Sequence, residues 1–132
     1  MEANELMIDD WVYNKNIDKP MQVYPMMFSQ MFRRTPDATT EDYNIFPIPL
    51  TPEILEKNGF VIKKKWAQLG NFGDSLLIMW HFEDDAVLGD FKHELEIHQN
   101  DTGKVHVHIP CEYVHELQHA LKLCGIEKEI EL

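Results

Sequence analysis

Apolar and polar residues alternate most cleanly over Glu94-Leu95-Glu96-Ile97-His98 and Lys104-Val105-His106-Val107-His108-Ile109. A period of two sends successive side chains to opposite faces of a strand, so these runs predict a hairpin. Its connection, Asp101-Thr102-Gly103, has glycine at the left-handed position of a three-residue loop and pairs Asn100 with Lys104. Ile97 is then expected opposite Val107 and Leu95 opposite Ile109 on the buried side. His98 falls opposite His106, and Glu96 opposite His108, on the other. Upstream, Val61–Trp66 and Leu76–Glu83 are expected strands joined across Gly70-Asn71-Phe72-Gly73, with Leu76, Ile78, Trp80 and Phe82 on the core face of the second.

Residues 6–14 and 20–25 predict two short N-terminal strands around the turn-like Asn14-Lys15-Asn16, near a sheet edge because of Pro20 and Pro25. Between Met26 and Phe46 the pattern predicts no element, and Phe46–Leu50 is extended because each proline pushes its predecessor out of the helical region. Thr51-Pro52-Glu53 starts a short helix, with Thr51 as N-cap and Pro52 in the first helical position, which ends at Gly59. Over residues 111–125 the period becomes that of a helix. Tyr113, Val114, Leu117, Ala120, Leu121 and Cys124 form its apolar stripe, Gly125 closes it, and Glu127–Leu132 predicts a last strand. The expected fold is α+β over a single domain, residues 1–132. It comprises a strand pair and loop (1–46) and a main part (47–132), a mostly antiparallel sheet with the long C-terminal helix on one face.

Composition narrows the partners. Twelve basic against 23 acidic residues give a net charge of −11, which repels phosphate backbones and anionic lipid. Direct nucleic-acid and membrane binding are therefore not expected. The 132 residues are 44% hydrophobic, enough for one real core, and contain no apolar run long enough to span a bilayer. A cytoplasmic location is expected, with Cys111 and Cys124 as reduced thiols, because about 20 Å of helix would separate them.

His115-Glu116-Leu117-Gln118-His119 matches the zinc-hydrolase signature H-E-x-x-H, in which two histidines one turn apart share the metal and the glutamate activates its water. Here His115 and His119 would be the ligands and Glu116 the base. Both histidines lie roughly 160° around the helix from Leu117 and are expected to point away from the core. A third ligand would have to come from Glu127, Glu129 or Glu131, in a tail of thirteen residues, and Lys122 stands where the extended signature has glycine. Cys111, His115 and His119 run along the helix in a line and do not converge. The hairpin offers a second constellation: Glu96, His98 and His106, with His108 diagonal to them, share one sheet face and could ligate a divalent metal. The same alternation marks any half-exposed hairpin, and a solvated polar face is the reading the sequence alone favours. No nucleotide-binding, serine-hydrolase or thioredoxin-like motif is present.

Pro47-Ile48-Pro49-Leu50-Thr51-Pro52-Glu53-Ile54-Leu55, Gly59-Phe60 and Tyr113-Val114-His115-Glu116-Leu117-Gln118, together with Glu5-Leu6-Met7-Ile8 before Trp11-Val12, resemble a family of small uncharacterised proteins of gut-bacterial prophages and mobile elements. The resemblance implies an SH3-like N-terminal strand pair and no known activity. The family's opening reads E-L-R-I-G-N-W-V, where this chain has Asp9-Asp10, and its closing motif Y-V-H-x-L-Q-N carries asparagine where this chain has His119. The function expected is that of a non-enzymatic accessory protein, of phage or mobile-element origin, that binds a protein partner, with no cofactor. The alternatives are a small zinc-dependent hydrolase built on His115, Glu116 and His119, and an acidic DNA mimic.

Overall fold

The computed structural model describes residues 5–27, 29, 39–85, 87, 89–99 and 105–132. The expected Asp101–Gly103 loop and its Asn100–Lys104 pair lie outside them. The protein is α+β, with antiparallel sheets of three and five strands, and its chain divides into two compact units. One takes the residues up to Pro49 together with Tyr113–Lys128; the other takes Leu50–Glu112 and Glu129–Leu132.

In the first unit, β1 (Trp11–Asn14) is flanked by β2 (Lys19–Gln22) and β3 (Ile45–Pro47). The two N-terminal strands are shorter than the expected runs 6–14 and 20–25, and the segment entering the X-Pro run supplies a third. Asp9 adopts φ +73°, a left-handed conformation that glycine takes freely and aspartate only occasionally. This kink turns the chain so that Asp9 N–H donates to Val23 O and Val23 N–H donates to Asp10 O. Leu6, Val12, Val23, Met27 and Ile45 close a small core. The long helix α2 (Val114–Leu123) belongs to this unit, capped by Tyr113 and ended by Gly125 at φ +74°. Its Gln118 amide clamps the first strand: Oε1 accepts from Trp11 N–H at 2.8 Å and Nε2 donates to Asp9 O at 3.1 Å.

In the second unit, the short helix α1 (Pro52–Lys57) starts as its sequence dictates, with Thr51 Oγ1 accepting from Ile54 N–H at 3.2 Å. The sheet order is β4 (Val61–Ile62), β5 (Trp66–Leu69), β6 (Leu76–His81), β7 (Glu94–Gln99), β8 (Val105–Pro110), each antiparallel to the next. The expected single strand Val61–Trp66 is instead two, folded back on each other so that Val61 pairs Gln68. The last hairpin has the expected register, Leu95↔Ile109, Glu96↔His108, Ile97↔Val107 and His98↔His106. Ile78, Trp80, Leu95 and Ile97 fill one face of the sheet, and the Trp80 indole N–H donates to Cys111 O at 2.7 Å. The opposite face is buried in its middle as well, at Leu77, Met79, His81, Glu96 and Gln68.

The expected last strand is absent, because the Asn58 side chain takes the place of a strand neighbour. It accepts from Glu131 N–H at 2.8 Å and donates to Glu131 O at 2.7 Å. Among the described residues no helix is long and apolar enough to cross a membrane.

Candidate metal centre

The second face of the five-stranded sheet collects titratable side chains by register alone. Met79 pairs Glu96 and Leu77 pairs His98, so β6 residues 77, 79 and 81 share a face with Glu94, Glu96 and His98 of β7; the β8 partners of the last two are His108 and His106. Asp90 comes from the connection between β6 and β7, held by reciprocal backbone bonds between Asp85 and Asp90.

Glu96 is the hub. Its Oε1 lies 3.0 Å from both His106 Nε2 and His108 Nε2, and its Oε2 lies 3.5 Å from His98 Nε2 and 3.6 Å from His81 Nε2. His81 Nε2 is also 3.8 Å from Asp90 Oδ1. Two ligands bound at about 2.05 Å around a tetrahedral zinc stand roughly 3.3 Å apart, so these separations are those of coordinating atoms. Burial grades along the cluster, from His81 at 4% and Asp90 at 11% side-chain exposure to His106 at 51%. Burial works against ionisation of Glu96, but the imidazoles of His106 and His98 facing its oxygens outweigh it, and the carboxyl is held below its usual range. Glu94 Oε2 stands 3.6 Å from His108 Nδ1, on the side of the ring away from the cluster's centre. His81 Nε2 and His98 Nε2 are buried without a hydrogen-bond partner. Orphaned buried imidazole nitrogens are costly, and both are aimed at a carboxylate.

Beside the cluster lies a cavity of about 250 Å³ lined by Trp66, Phe72, Met79, His81, Asp90, Glu96 and His98. Trp66 is fixed there by donating Nε1–H to Gln68 Oε1 at 3.0 Å, and its ring centroid is 6.4 Å from that of His81.

The H-E-x-x-H residues have other work. Glu116 is the third residue of helix α2, and its Oε1 accepts from Tyr113 N–H at 3.1 Å, completing a capping arrangement. His119 Nε2 lies 2.6 Å from Oδ2 of the fully buried Asp10. His115 is buried too, which corrects the expectation that both histidines face solvent: Tyr113 stacks on its ring at 5.9 Å, and the His119 ring stands edge-on to it at 5.7 Å. Desolvation pushes the His115 imidazole below its usual pKa. A cavity of about 710 Å³ adjoins these side chains, with Glu5 and Glu41 on its wall. Among the described residues, the sets of three groups close enough to share an ion are Glu96-His98-His106 and His81-Asp90-Glu96; His115, His119, Cys111, Glu127, Glu129 and Glu131 join neither. Cys111 is buried, and Cys124, half-buried at the end of α2, has its thiol pKa raised by burial.

Sequence reasoning put Glu96, His98, His106 and His108 on one hairpin face, which it favoured as a solvated polar face, and did not bring in His81 or Asp90. The signal for His81 was the second period-two face of β6, Leu77-Met79-His81, which becomes legible only once the β6–β7 register is known. Comparison of the chain with protein-family models, curated proteins and solved structures gives no match.

Proposed function

We propose that the protein binds a divalent transition-metal ion on the second face of its five-stranded sheet, with Glu96, His98 and His106 as ligands and His108 as a fourth. The observation that carries this is the convergence of imidazole Nε2 atoms on one buried carboxylate, two of them lacking any hydrogen-bond partner. Imidazole with carboxylate suits zinc, iron, nickel or copper better than calcium or magnesium, which prefer oxygen ligands. The adjoining cavity has an apolar wall of Trp66, Phe72 and Met79 and would hold a small, partly apolar molecule beside the ion. Such a centre polarises an oxygen of a bound molecule as a Lewis acid. It is also compatible with an accessory protein that works through a protein partner.

The test is elemental analysis and calorimetric titration of purified protein with Zn²⁺. At least one tightly bound ion per chain is expected, with H98A/H106A losing at least tenfold in affinity while its circular dichroism is retained. Protein that binds no zinc, or a double variant that binds it as tightly as the parent, overturns the reading.

A further inference from the structure

The side chains of the cluster do not close into one cage. Five of them form two sets, Glu96-His98-His106 and His81-Asp90-Glu96, within each of which the ligand atoms lie within 4.8 Å of one another, and Glu96 belongs to both. Both of its oxygens face donors. Oε1 faces His106 and His108, at the exposed end of the cluster; Oε2 faces His98 at 3.5 Å and, at 3.6 Å, the buried His81, with Asp90 beyond. A carboxylate with nitrogen donors on both oxygens has the arrangement of a bridge between two cations, which such bridges hold about 3.5–4 Å apart.

The geometry points to a second divalent cation, held at the buried end by His81, Asp90 and Glu96 Oε2 and bridged through Glu96 to the ion held by His98, His106 and His108. This inference rests on the metal-binding reading above and adds the second position to it. His81 is the independent sign of that position. Its side chain is 4% exposed, its Nε2 has no hydrogen-bond partner, and that nitrogen lies 3.6 Å from one carboxylate and 3.8 Å from another. Those gaps are too long for hydrogen bonds and near the edge length of a coordination shell, about 3.3 Å for a tetrahedral zinc. Charge agrees, since the inner position has two carboxylates and one imidazole for its ion, whereas the outer one shares Glu96 and adds imidazoles only. The inner ion would also stand at the cavity, whose wall includes His81, Asp90 and Glu96.

The experiment uses the full chain stripped with a chelator, dialysed against Zn²⁺ and, separately, Co²⁺, with bound metal measured per chain. Two ions per chain are expected for the parent and one for D90N, with H81Q as a second variant should D90N fail to fold; H106A/H108A should also retain no more than one. One ion per chain in the parent, undiminished by D90N and H81Q, overturns the second position and leaves the first. A parent that binds a single ion and loses it on D90N overturns it as well, because that one ion would then occupy the buried end. No bound ion overturns both readings.

Discussion

A carboxylate is placed inside a β-sheet only at a cost, and Glu96 is 7% exposed. What offsets that cost is the ring of imidazoles, and each of those side chains has a legible origin: a strand alternates, so a histidine two residues from a glutamate shares its face. The sequence therefore shows plainly that Glu96 shares its face with the hairpin histidines. It does not show their burial, because solvation of that face depends on what covers it, which alternation does not encode. At His115 the error runs the same way: helical projection sets the angle around the axis and says nothing of the Tyr113 and His119 rings closing on it. His115 also makes a pH prediction. Its imidazole has a lower pKa folded than the roughly 6.5 of an unfolded chain. Between those two values the unfolded state binds more protons, so stability falls as pH falls from about 6.5 through the folded value. In urea melts at pH 7 and pH 5, H115N should lose less stability on acidification than the parent; equal losses would remove this account.

Among the elements, those governed by local chemistry were legible and those governed by a distant side chain were not. Thr51-Pro52 sets the start of α1, Gly125 sets the end of α2, and the β7–β8 register follows from its alternation. The tail from Glu127 reads as a strand, yet its neighbour is the amide of Asn58, seventy-three residues away from Glu131 in sequence. Val61–Trp66 reads as one strand because β-branched and aromatic residues stand at its two ends, and the reversal at Lys63–Lys65 carries no glycine or proline to mark it. Gly70, by contrast, is demanded by the turn into β6. It has φ +89°, and a Cβ there would stand 2.6 Å from the backbone oxygen of Leu76, which cannot swing aside as a side-chain end could. G70A should therefore destabilise the protein by about 1–3 kcal/mol, the range for a residue forced into a rare backbone conformation. Thermal melts of G70A and, as a control, of G73A, whose Cβ would meet nothing within 4 Å, check this. An equal loss in both would mean that the positive φ alone, and not the contact with Leu76, sets the cost.

For the whole molecule, the α+β class and the antiparallel sheets follow from the sequence, whereas the division of the chain does not. A boundary drawn at residue 46 follows composition; the compact units exchange the chain at Pro49, Glu112 and Lys128, because Gln118 and His119 fasten the late helix to residues 9–11. The charge of −11 bears on the same question as the metal centre, since a strongly acidic chain raises the local concentration of divalent cations around it. Of the three tryptophans, Trp66 lines the cavity beside the candidate centre. With its indole tilted against the His81 ring at a centroid distance of 6.4 Å, Trp66 is an optical gauge built into the protein. Copper(II) or nickel(II), whose unpaired electrons quench indole fluorescence, should darken the parent on loading, while diamagnetic zinc should not. W66F should lose most of the response; undiminished quenching in W66F would place the ion elsewhere. The cavity wall would thus let a cuvette follow the filling of the site, ion by ion, without any added dye.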